Sequence, residues 1–418
     1  MKSPEKAGRR RVVITGLGVV SAAGIGKDAY WDSLRSGRSG IKKITSFDAS
    51  TYPCQIAGEI TDFDPVDFMP AQLARKIDRF AQMGLAAAKL AVEDANLKIE
   101  NTEKDRVGAV IGTSLGTLSY AEQQFTLYYE KGLNRINPFF ATSVIPSTCA
   151  TQIMINLKIG GPCYTVTTAC ASSTSAIGIA FQSIRDGKTD VMFAGGSEAP
   201  ISSYVVAALG SMQLLARHNG KAGTAYRPFS KDASGFALGE GAGLLVLEEL
   251  DHALRRGANI YGEVVGFGCS SDAHHVMEFA PGLEQASKAI EMALRDAELR
   301  LDRIEYVNAH GTAIPNHDIS ETMIFKKVFG EFACKIPVSS TKPLTGHTLG
   351  ASGALGTIAC ALMMQHDYLH PTINYSGPHP QCDLDYIPNE GYQRRVDTML
   401  SVSFGFGGYN AACIIQRY

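Results

Sequence analysis

Cys170 stands at a point in the sequence where a cysteine could act as a nucleophile. The β-branched run 165–168 is typical of the end of a buried strand, and the small-residue series 171–184 predicts a tightly packed helix. The N–H groups of a first helical turn have no partners inside the helix, so they and the helix dipole would favour the thiolate. A cysteine taken alone is more often a buried structural residue, so the choice depends on its companions.

Three further segments carry histidine, lysine or phenylalanine in surroundings rich in glycine and threonine. They are Asn308-Ala-His310-Gly-Thr312, Ser339-Ser-Thr-Lys342-Pro-Leu-Thr-Gly-His347 and Ser403-Phe-Gly-Phe406-Gly-Gly408. Both histidines lie in or after loops that leave predicted strands, where sites on α/β scaffolds collect. A thiolate, two imidazoles and an ammonium could take up an acyl group, and neutral imidazole N–H groups could stabilise a developing enolate oxygen.

Two other chemistries find less support in the sequence. Beside the adjacent His274 and His275 there is no second ligand pair with the spacing of a zinc site, so no metal is predicted. The turn at Gly16-Leu-Gly18 fails as a dinucleotide-binding motif because Ser21 stands where that motif requires a third glycine.

The elements that must position these residues alternate between strands and helices. Apolar patterns predict strands at 11–21, 107–113, 191–196, 244–247, 263–268 and 306–309, and helices at 27–36, 72–97, 115–124, 283–297 and 350–364. The small-residue helix 350–364 mirrors the one after Cys170, which indicates a weak internal duplication. Two α/β halves of this kind would pack their small-residue helices between sheets in a layered architecture.

Composition limits the classes of protein that the chain can be. Its 418 residues, 45% hydrophobic and 19% charged, can bury a large core, and a net charge of -2 gives no general attraction to nucleic acid or to an anionic membrane. The nine cysteines are scattered without a CxxC pair, as expected in a reducing cytoplasm. Residues 1–11 are basic without an apolar stretch, so we expect neither a signal peptide nor an anchor. The apolar run 353–364 is too short to span a membrane.

Taken in order, the motifs resemble those of the β-ketoacyl-acyl-carrier-protein synthases, the elongating condensing enzymes of the thiolase fold, and most closely their type II branch. The most specific segments are Thr168-Ala-Cys170-Ala-Ser, Asn308-Ala-His-Gly-Thr312, Ser340-Thr-Lys-Pro-Leu-Thr-Gly-His347 and Gly405-Phe-Gly-Gly408. The resemblance implies an α/β fold with αβαβα layers, built from two similar halves around buried central helices.

The same resemblance implies where the functional residues lie and what they do. Residues 1–258 would form the half that carries Cys170, and residues 259–418 the half that carries His310, Lys342 and His347. Cys170 would accept an acyl chain as a thioester, and the two histidines would promote decarboxylation of malonyl-acyl-carrier protein. The resulting carbanion would then attack the acyl-Cys170 carbonyl.

Supporting roles follow from the resemblance as well. The backbone N–H groups of Cys170 and Phe406 would form the oxyanion hole, and Phe406 would also act as a gate. Lys342 would order the site, with Glu321 as its ion partner and Asp318 in the same polar network. The side chains expected to contact substrate are Thr312, Leu115 and Phe406.

The expected partners are an acyl carrier protein and a second subunit. Arg75 and Lys76 lie near the start of the predicted helix 72–97, where cations are unfavourable, and their pattern alone fits either a solvated face or a docking patch. The resemblance favours the docking patch, with Arg135 as a third basic residue facing the acidic carrier. It further implies a homodimer, or a heterodimer with a homologous subunit. Phosphopantetheine would arrive on the carrier, so no resident cofactor is expected.

Three residues depart from the pattern of the family. Ile314 replaces a threonine in the segment after His310, Tyr409 replaces a threonine after the glycine-rich turn, and Gly356 stands nine residues after His347 where a glutamate is usual. These departures suggest a specialised condensing enzyme, such as one that builds an unusual or polyene-like chain. The missing glutamate leaves open whether a cation is bound behind Lys342.

Three alternatives remain at this point. The chain could be the active subunit of a type II polyketide system that works with a homologous partner. It could be a chain-length-setting subunit without chemistry, although the intact Cys170 argues against this. A cysteine hydrolase or degradative thiolase fits less well, because hydrolases orient histidine with Asn or Asp and the thiolase nucleophile lies nearer the N-terminus.

Overall fold

The computed structural model describes residues 9–418. The prediction that residues 1–11 form neither a signal peptide nor an anchor therefore falls mostly on residues 1–8, outside the described residues. Helices α1 to α13 are, in order, Lys27–Ser36, Ala71–Ala74, Arg79–Asp94, Leu118–Lys131, Phe140–Ser143, Thr148–Leu157, Ser172–Arg185, Ser203–Ser211, Leu250–Arg255, Glu284–Ala297, Pro315–Phe329, Lys342–Thr345 and Ser352–His366. Strands β1 to β16 are, in order, Val12–Ser21, Gly24–Ile25, Lys42–Lys43, Ile56–Gly58, Val107–Gly112, Cys163–Val166, Val191–Glu198, Leu238–Gly239, Gly241–Glu249, Gly262–Ser271, Tyr306–Asn308, Val338–Ser339, Tyr368–Leu369, Tyr392–Gln393, Thr398–Gly405 and Tyr409–Gln416.

Most of the strands pair into one large mixed sheet whose two halves repeat the same order. The first half runs β6-β5-β7-β9-β1, the second runs β12-β11-β15-β16-β10, and the halves join where β1 pairs antiparallel with β10. In each half the first three strands are parallel and the remaining pairs are antiparallel. This repeat confirms the duplication that the sequence indicated.

Two helices, α7 and α13, lie between the halves. Helix α7 packs on β5 and β7, α13 packs on β9 and β15, and the two helices contact each other. Glycine makes this close approach possible, because a Cβ at Gly353 of α13 would lie 2.0 Å from Thr174 Oγ1 of α7. Gly178 of α7 likewise lets β10 approach, since a Cβ there would lie 2.3 Å from the ring of Phe267. Helices α3 and α6 cover the outer face of the first half, and α10 and α11 cover that of the second.

The order of layers is therefore αβαβα, and the predicted thiolase-like fold class is confirmed. The division into residues 1–258 and 259–418 stays a prediction, since both halves share one hydrogen-bonded sheet. Within the described part of the chain, no helix combines the length and apolar character needed to cross a membrane.

Two predicted helices were wrong in their bounds. The helix expected over 72–97 is broken into α2 and α3, because Asp78 adopts an extended conformation and its carboxylate accepts the Ala81 N–H at 3.0 Å. The helix expected over 115–124 begins only at Leu118, since the preceding residues are drawn into hydrogen bonds with a buried carboxylate.

Candidate active site

Cys170 lies on a sharp turn between β6 and α7. Ala169 has a φ of +48°, a left-handed conformation that is uncommon for a residue with a side chain. The turn is closed by the Ala171 N–H, which donates to the Thr168 carbonyl at 3.0 Å. Gly405 fits tightly against it, because a Cβ there would lie 2.6 Å from the same carbonyl oxygen. The chain therefore holds the Cys170 side chain in a strained and closely packed position.

Burial raises the pKa of the Cys170 thiol to about 12, and this effect exceeds the opposing effects of the Lys342 charge and of the Phe406 and Cys170 N–H groups. The backbone N–H groups at the start of the helix do favour the thiolate, as expected, but burial outweighs their effect. The side chain is only 5% exposed, so the cost of burying the charge outweighs the dipole. Cys170 rests as a thiol.

His347 contacts the nucleophile directly. Its Nε2 lies 3.2 Å from Cys170 Sγ, and its Nδ1 lies 2.9 Å from the hydroxyl of Ser352. The Ser352 hydroxyl lies in turn 3.1 Å from that of Thr348. If Thr348 donates to Ser352 and Ser352 to Nδ1, the remaining ring proton is on Nε2, facing the reacting atoms.

His310 follows β11 on a loop that two carboxylates of α11 hold in place. Glu321 accepts the backbone N–H groups of His310 and Gly311 at 2.6 and 2.8 Å. Asp318 accepts those of Thr312 at 3.0 Å and of the next residue at 3.1 Å. Burial raises the pKa of both carboxyls above their ordinary values, although these N–H donors favour the charged forms.

Lys342 does not form the expected ion pair with Glu321. Its Nζ donates instead to the backbone carbonyl of His310, and within residues 9–418 no salt bridge joins it to Glu321. The two groups still interact through their charges: burial lowers the pKa of Lys342, and the Glu321 charge opposes that shift. The lysine thereby holds the main chain of the histidine loop.

The two imidazoles are neutral near pH 7. Burial and the Lys342 charge lower the pKa of both His310 and His347 well below the ordinary value. Neutral imidazoles can donate N–H hydrogen bonds to an oxygen that gains negative charge without first having to lose a proton. His310 Nδ1 is buried and, among the described residues, has no hydrogen-bond partner.

The same three side chains have to be considered as metal ligands. Cys170 Sγ and one ring nitrogen from each of His310 and His347 lie within 4.8 Å of one another, a donor set that could bind a soft metal ion. The Lys342 charge is close enough to lower the pKa of both imidazoles, and it would equally repel a cation. The setting favours acyl chemistry over metal binding.

Gly356 faces a small buried cluster of neutral polar groups. A Cβ at this position would lie 2.3 Å from Asn308 Oδ1 and 3.5 Å from Ser401 Oγ. Within the described part of the chain, Asn308 Nδ2, Ser401 Oγ and Thr357 Oγ1 are buried without hydrogen-bond partners. These groups are neutral and offer both a donor and acceptors, so the cluster suits a buried water molecule.

Two of the residues expected to contact substrate, Leu115 and Phe406, pack on the same apolar cluster as the nucleophile. Both are partly buried, as is Ile314, which packs against this cluster as well. The Thr312 hydroxyl is buried and, among the described residues, has no partner, so it is available to a ligand. Tyr409 is 38% exposed and lies against Gly407 at the rim.

Glu198 and Ser352 hold parts of the site in place although no sequence motif pointed to them. Glu198 ends β7 and accepts the N–H groups of Ser114, Leu115 and Gly116 at 2.6, 3.1 and 2.9 Å and that of Gly350 at 3.1 Å. It thereby fixes the loop that carries Leu115. Ser352 orients His347. An acidic residue at the end of an otherwise apolar strand was the only signal for Glu198.

The three basic residues expected at the carrier surface are exposed on two adjoining segments. Arg75 and Lys76 lie between α2 and α3, and Arg135 lies in a short turn after α4. The segments meet where Asn137 Nδ2 donates to the Arg75 carbonyl at 3.4 Å and where the Lys76 ammonium lies 4.8 Å from the centre of the Phe139 ring.

Comparison with known proteins gives one consistent result. The β-ketoacyl synthase N-terminal domain family matches residues 9–253, and the β-ketoacyl synthase C-terminal domain family matches residues 261–376. A 3-oxoacyl-[acyl-carrier-protein] synthase 2 from Synechocystis sp. is 42% identical over 98% of this chain and 99% of its own length. A homologous synthase 2 from Coxiella burnetii is 41% identical over 98% of this chain and 99% of its own length.

Among solved structures, a type II PKS acyl-carrier protein in complex with its ketosynthase bound to the hexaketide matches with a TM-score of 0.91 and 32% identity, over 98% of this chain and 100% of the matched one.

Proposed function

The chain belongs to the β-ketoacyl synthase family, and we propose that it joins an acyl chain, held as a thioester on Cys170, to malonyl-acyl-carrier protein with loss of carbon dioxide. The product is a β-ketoacyl-acyl-carrier protein two carbons longer than the primer. The observation that carries the proposal is the convergence of Cys170 Sγ with ring nitrogens of His310 and His347 within 4.8 Å.

In the first step the acyl group moves from the carrier to the enzyme. Cys170 Sγ attacks the thioester carbonyl, and the negative charge on the carbonyl oxygen is stabilised by the N–H groups of Cys170 and Phe406. The carrier thiol leaves with the proton that Cys170 loses, which passes from Sγ to the carrier sulfur as the new thioester forms and the old one breaks. One thioester replaces another, so no proton is gained or lost.

In the second step the malonyl group loses its carboxylate. The bond to the carboxyl carbon breaks, carbon dioxide leaves, and the electron pair passes to the enolate oxygen, which the neutral His310 and His347 stabilise through N–H hydrogen bonds. The enolate carbon attacks the acyl-Cys170 carbonyl. The Cys170 sulfur then leaves and takes a proton from solvent, which restores the thiol.

The decisive experiment is intact-protein mass spectrometry after exposure to a panel of acyl-carrier proteins. The wild-type chain should gain the mass of one acyl group, and Cys170→Ala should gain none. Addition of malonyl-carrier protein should then release carbon dioxide and remove the adduct. Undiminished condensation by Cys170→Ala would overturn the proposal, whereas an acyl adduct that water removes without loss of carbon dioxide would indicate a hydrolase.

The carrier protein supplies what the chain itself lacks. Phosphopantetheine arrives on the carrier, so we propose no resident cofactor and no metal. Arg75, Lys76 and Arg135 offer an exposed basic surface to an acidic carrier.

We propose a cytoplasmic location because all nine cysteines are free and the thiols of Cys163 and Cys269 are exposed, which suits a reducing compartment.

A second candidate function is the active subunit of a heterodimeric polyketide or polyene system. The ishigamide ketosynthase/chain length factor is 34% identical to this chain with a TM-score of 0.91, over 98% of this chain and 100% of the matched one. An apolar groove between α4 and α8, lined by Leu118, Phe125, Tyr129 and Tyr204, offers a surface for a partner. An active homodimer on ordinary fatty acyl-carrier proteins would reject this candidate.

A further inference from the structure

Phe406 occupies the short loop between β15 and β16, and its position affects two features of the site. Its ring packs against the apolar cluster around Cys170, and its backbone N–H points to the Cys170 sulfur. The loop is a tight hairpin turn in which the Gly408 N–H donates to the Gly405 carbonyl at 3.1 Å, and Gly407 and Gly408 have φ angles of +90° and +76°. This hydrogen bond shapes the turn but does not involve the Phe406 N–H or ring, whose positions depend on contacts from outside the loop.

The irregular segment 272–279, which we call the strap, holds the main chain of this loop. The Gly407 N–H donates to the Val276 carbonyl at 2.7 Å, and the Asp272 N–H donates to the Gly408 carbonyl at 2.9 Å. The strap itself is largely exposed and irregular. Because the loop is held by two backbone hydrogen bonds to the strap, it can be no more rigid than the strap itself.

His317, in the first turn of α11, contacts both the loop and the strap. Its ring lies edge to face with Phe406, with centroids 5.8 Å apart and planes at 84°, and it meets Phe279 of the strap at 5.6 Å and 71°. It also makes a hydrogen bond to the backbone of Met277. His317 thus ties both partners to the rigid helix α11.

The ring contacts continue from the strap to the catalytic centre. Phe279 lies 5.4 Å from Phe404, Phe404 lies 6.0 Å from His310, and His310 lies 5.5 Å from His347. Little free space remains between the strap and the loop, where a cavity of about 10 Å³ is lined by Phe279, His317 and Phe406 among others. Removal of one ring from this packed row leaves a gap beside Phe406.

We propose that His317 is a positioning residue that keeps Phe406 closed over Cys170, through its ring contact with Phe406. This inference rests on the proposed function, in which the Phe406 N–H stabilises the oxyanion. Loss of the ring lets the loop move away, which exposes the thiol and weakens the oxyanion hole. The carrier-docking surface around Arg75 is untouched, so binding of the acyl-carrier protein stays the same.

The test compares three variants of the full-length protein. His317→Ala removes both the ring and the hydrogen bond, His317→Phe keeps only an aromatic ring, and His317→Gln keeps only a donor for Met277. Asn316→Ala, at the exposed neighbouring position, is the matched control. Two quantities are measured: the rate of Cys170 alkylation by iodoacetamide, followed by intact mass, and kcat and KM for the acyl-carrier protein in condensation.

We expect His317→Ala to raise the alkylation rate and lower kcat, each by about threefold to tenfold, with KM unchanged, as the loss of one aromatic contact would produce. His317→Phe should stay near wild type and His317→Gln should resemble His317→Ala. Should His317→Ala fail to fold, the comparison of His317→Phe with His317→Gln decides.

Two results would overturn the inference. One is a His317→Ala variant that matches Asn316→Ala in both measurements. The other is the reverse order, in which His317→Gln behaves as wild type while His317→Phe shows the faster alkylation and the lower kcat. This result would assign the effect to the Met277 hydrogen bond. A wild-type chain that forms no condensation product would count against the proposed function alone, because the alkylation rates do not depend on malonyl-carrier protein.

Discussion

At the scale of single residues, burial and the charge of a neighbouring ammonium together hold the pKa of two imidazoles well below the ordinary value. Lys342 holds the His310 carbonyl, and its charge lowers the pKa of His310 and of His347. The same charge acts against the raised pKa of Cys170. Lysine therefore has an electrostatic role here that a residue of similar length without a charge cannot fill.

Lys342→Met should make decarboxylation more sensitive to acid. Burial still lowers the pKa of both imidazoles in this variant, but the further lowering by the ammonium is lost, so they become protonated, and lose function, at a higher pH than in the wild type. We expect the acid limb of the kcat/KM profile for malonyl-carrier protein decarboxylation to move up by about one pH unit or more. Lys326→Met, which removes a partly exposed lysine paired with Asp383, should leave the limb in place. An unchanged limb in Lys342→Met would contradict the electrostatic role.

Gly356 is the departure from the family pattern that the structure explains best. Asn308 fills the space in which a side chain at 356 would lie. Gly356→Ala should therefore destabilise the protein by about 1–3 kcal/mol through overpacking. The matched control is Gly210→Ala, a helical glycine with no atom within 4 Å of its added Cβ, which should be neutral or slightly stabilising. Urea unfolding measures both, and equal stabilities of the two variants would refute the steric account.

At the scale of elements, the active site is an assembly of loop ends tied together by buried carboxylates. Glu321 and Asp318 on α11 hold the His310 loop, and Glu198 at the end of β7 joins the Leu115 loop to Gly350 beside α13. These carboxylates connect loops from both halves of the fold to rigid strands and helices. The geometry of the site depends on them although none is expected to touch substrate.

Glu198→Gln should loosen the loop that carries Leu115. One carboxylate oxygen accepts Ser114 N–H and Gly350 N–H, and the other accepts three further donors. The glutamine amide must place its NH2, itself a donor, against one of these two groups of donors, which then lose their acceptor. We expect this to lower the free energy of unfolding by about 2–3 kcal/mol. Chemical denaturation, with exposed Glu130→Gln as control, would measure the loss. A variant as stable as the control would mean that the loop does not need this acceptor.

The elements and the chemical groups of the site differ in how far the sequence predicts them. Strand β5 and helix α1 follow from contiguous apolar patterns, because periodicity is a local property. The break between α2 and α3 does not, since it depends on one capping carboxylate at Asp78. Motif residues such as His310 can be predicted because they stand in recognisable loops. The role of Glu198 cannot be predicted in this way, because its hydrogen-bond partners lie 82 to 152 residues away in the sequence and no local pattern encodes such contacts.

The charge state of the nucleophile marks a second limit of sequence reasoning. The turn before α7 is local and was predicted, and its dipole does favour a thiolate. The burial that outweighs this preference comes from segments far away in the sequence: Gly405 of β15 fits against the turn, and His347 and Phe406 contact Cys170. A pKa is set by everything that surrounds a group, so it follows from the tertiary structure and not from the turn alone.

At the scale of the whole molecule, the two ends of the large sheet differ in how they are protected. At one end β12 is buried, and the Val338 N–H donates across its outer edge to the Asp385 carbonyl at 2.8 Å. At the other end β6 pairs only with β5 among the described strands, and Tyr164 on it is 56% exposed. Ile155, on the adjoining helix α6, is 61% exposed. An open edge beside exposed apolar side chains is a surface on which a second subunit can add strands.

Tyr164→Lys should therefore separate the subunits. In a two-fold arrangement the two β6 strands run antiparallel, so lysines introduced on both would face each other near the axis, where like charges oppose pairing. We expect the dissociation constant of the two subunits to rise by about tenfold or more. Light scattering during size-exclusion chromatography over a range of protein concentrations measures it. Tyr392→Lys changes a tyrosine that is 37% exposed on the separate sheet of β13 and β14, and it should leave assembly unchanged.

If Tyr164→Lys assembles as tightly as Tyr392→Lys, the subunits meet elsewhere, and the groove between α4 and α8 becomes the surface to test. If it dissociates and loses condensation while Cys170 still reacts with iodoacetamide, the partner subunit completes the acyl pocket and not the nucleophile.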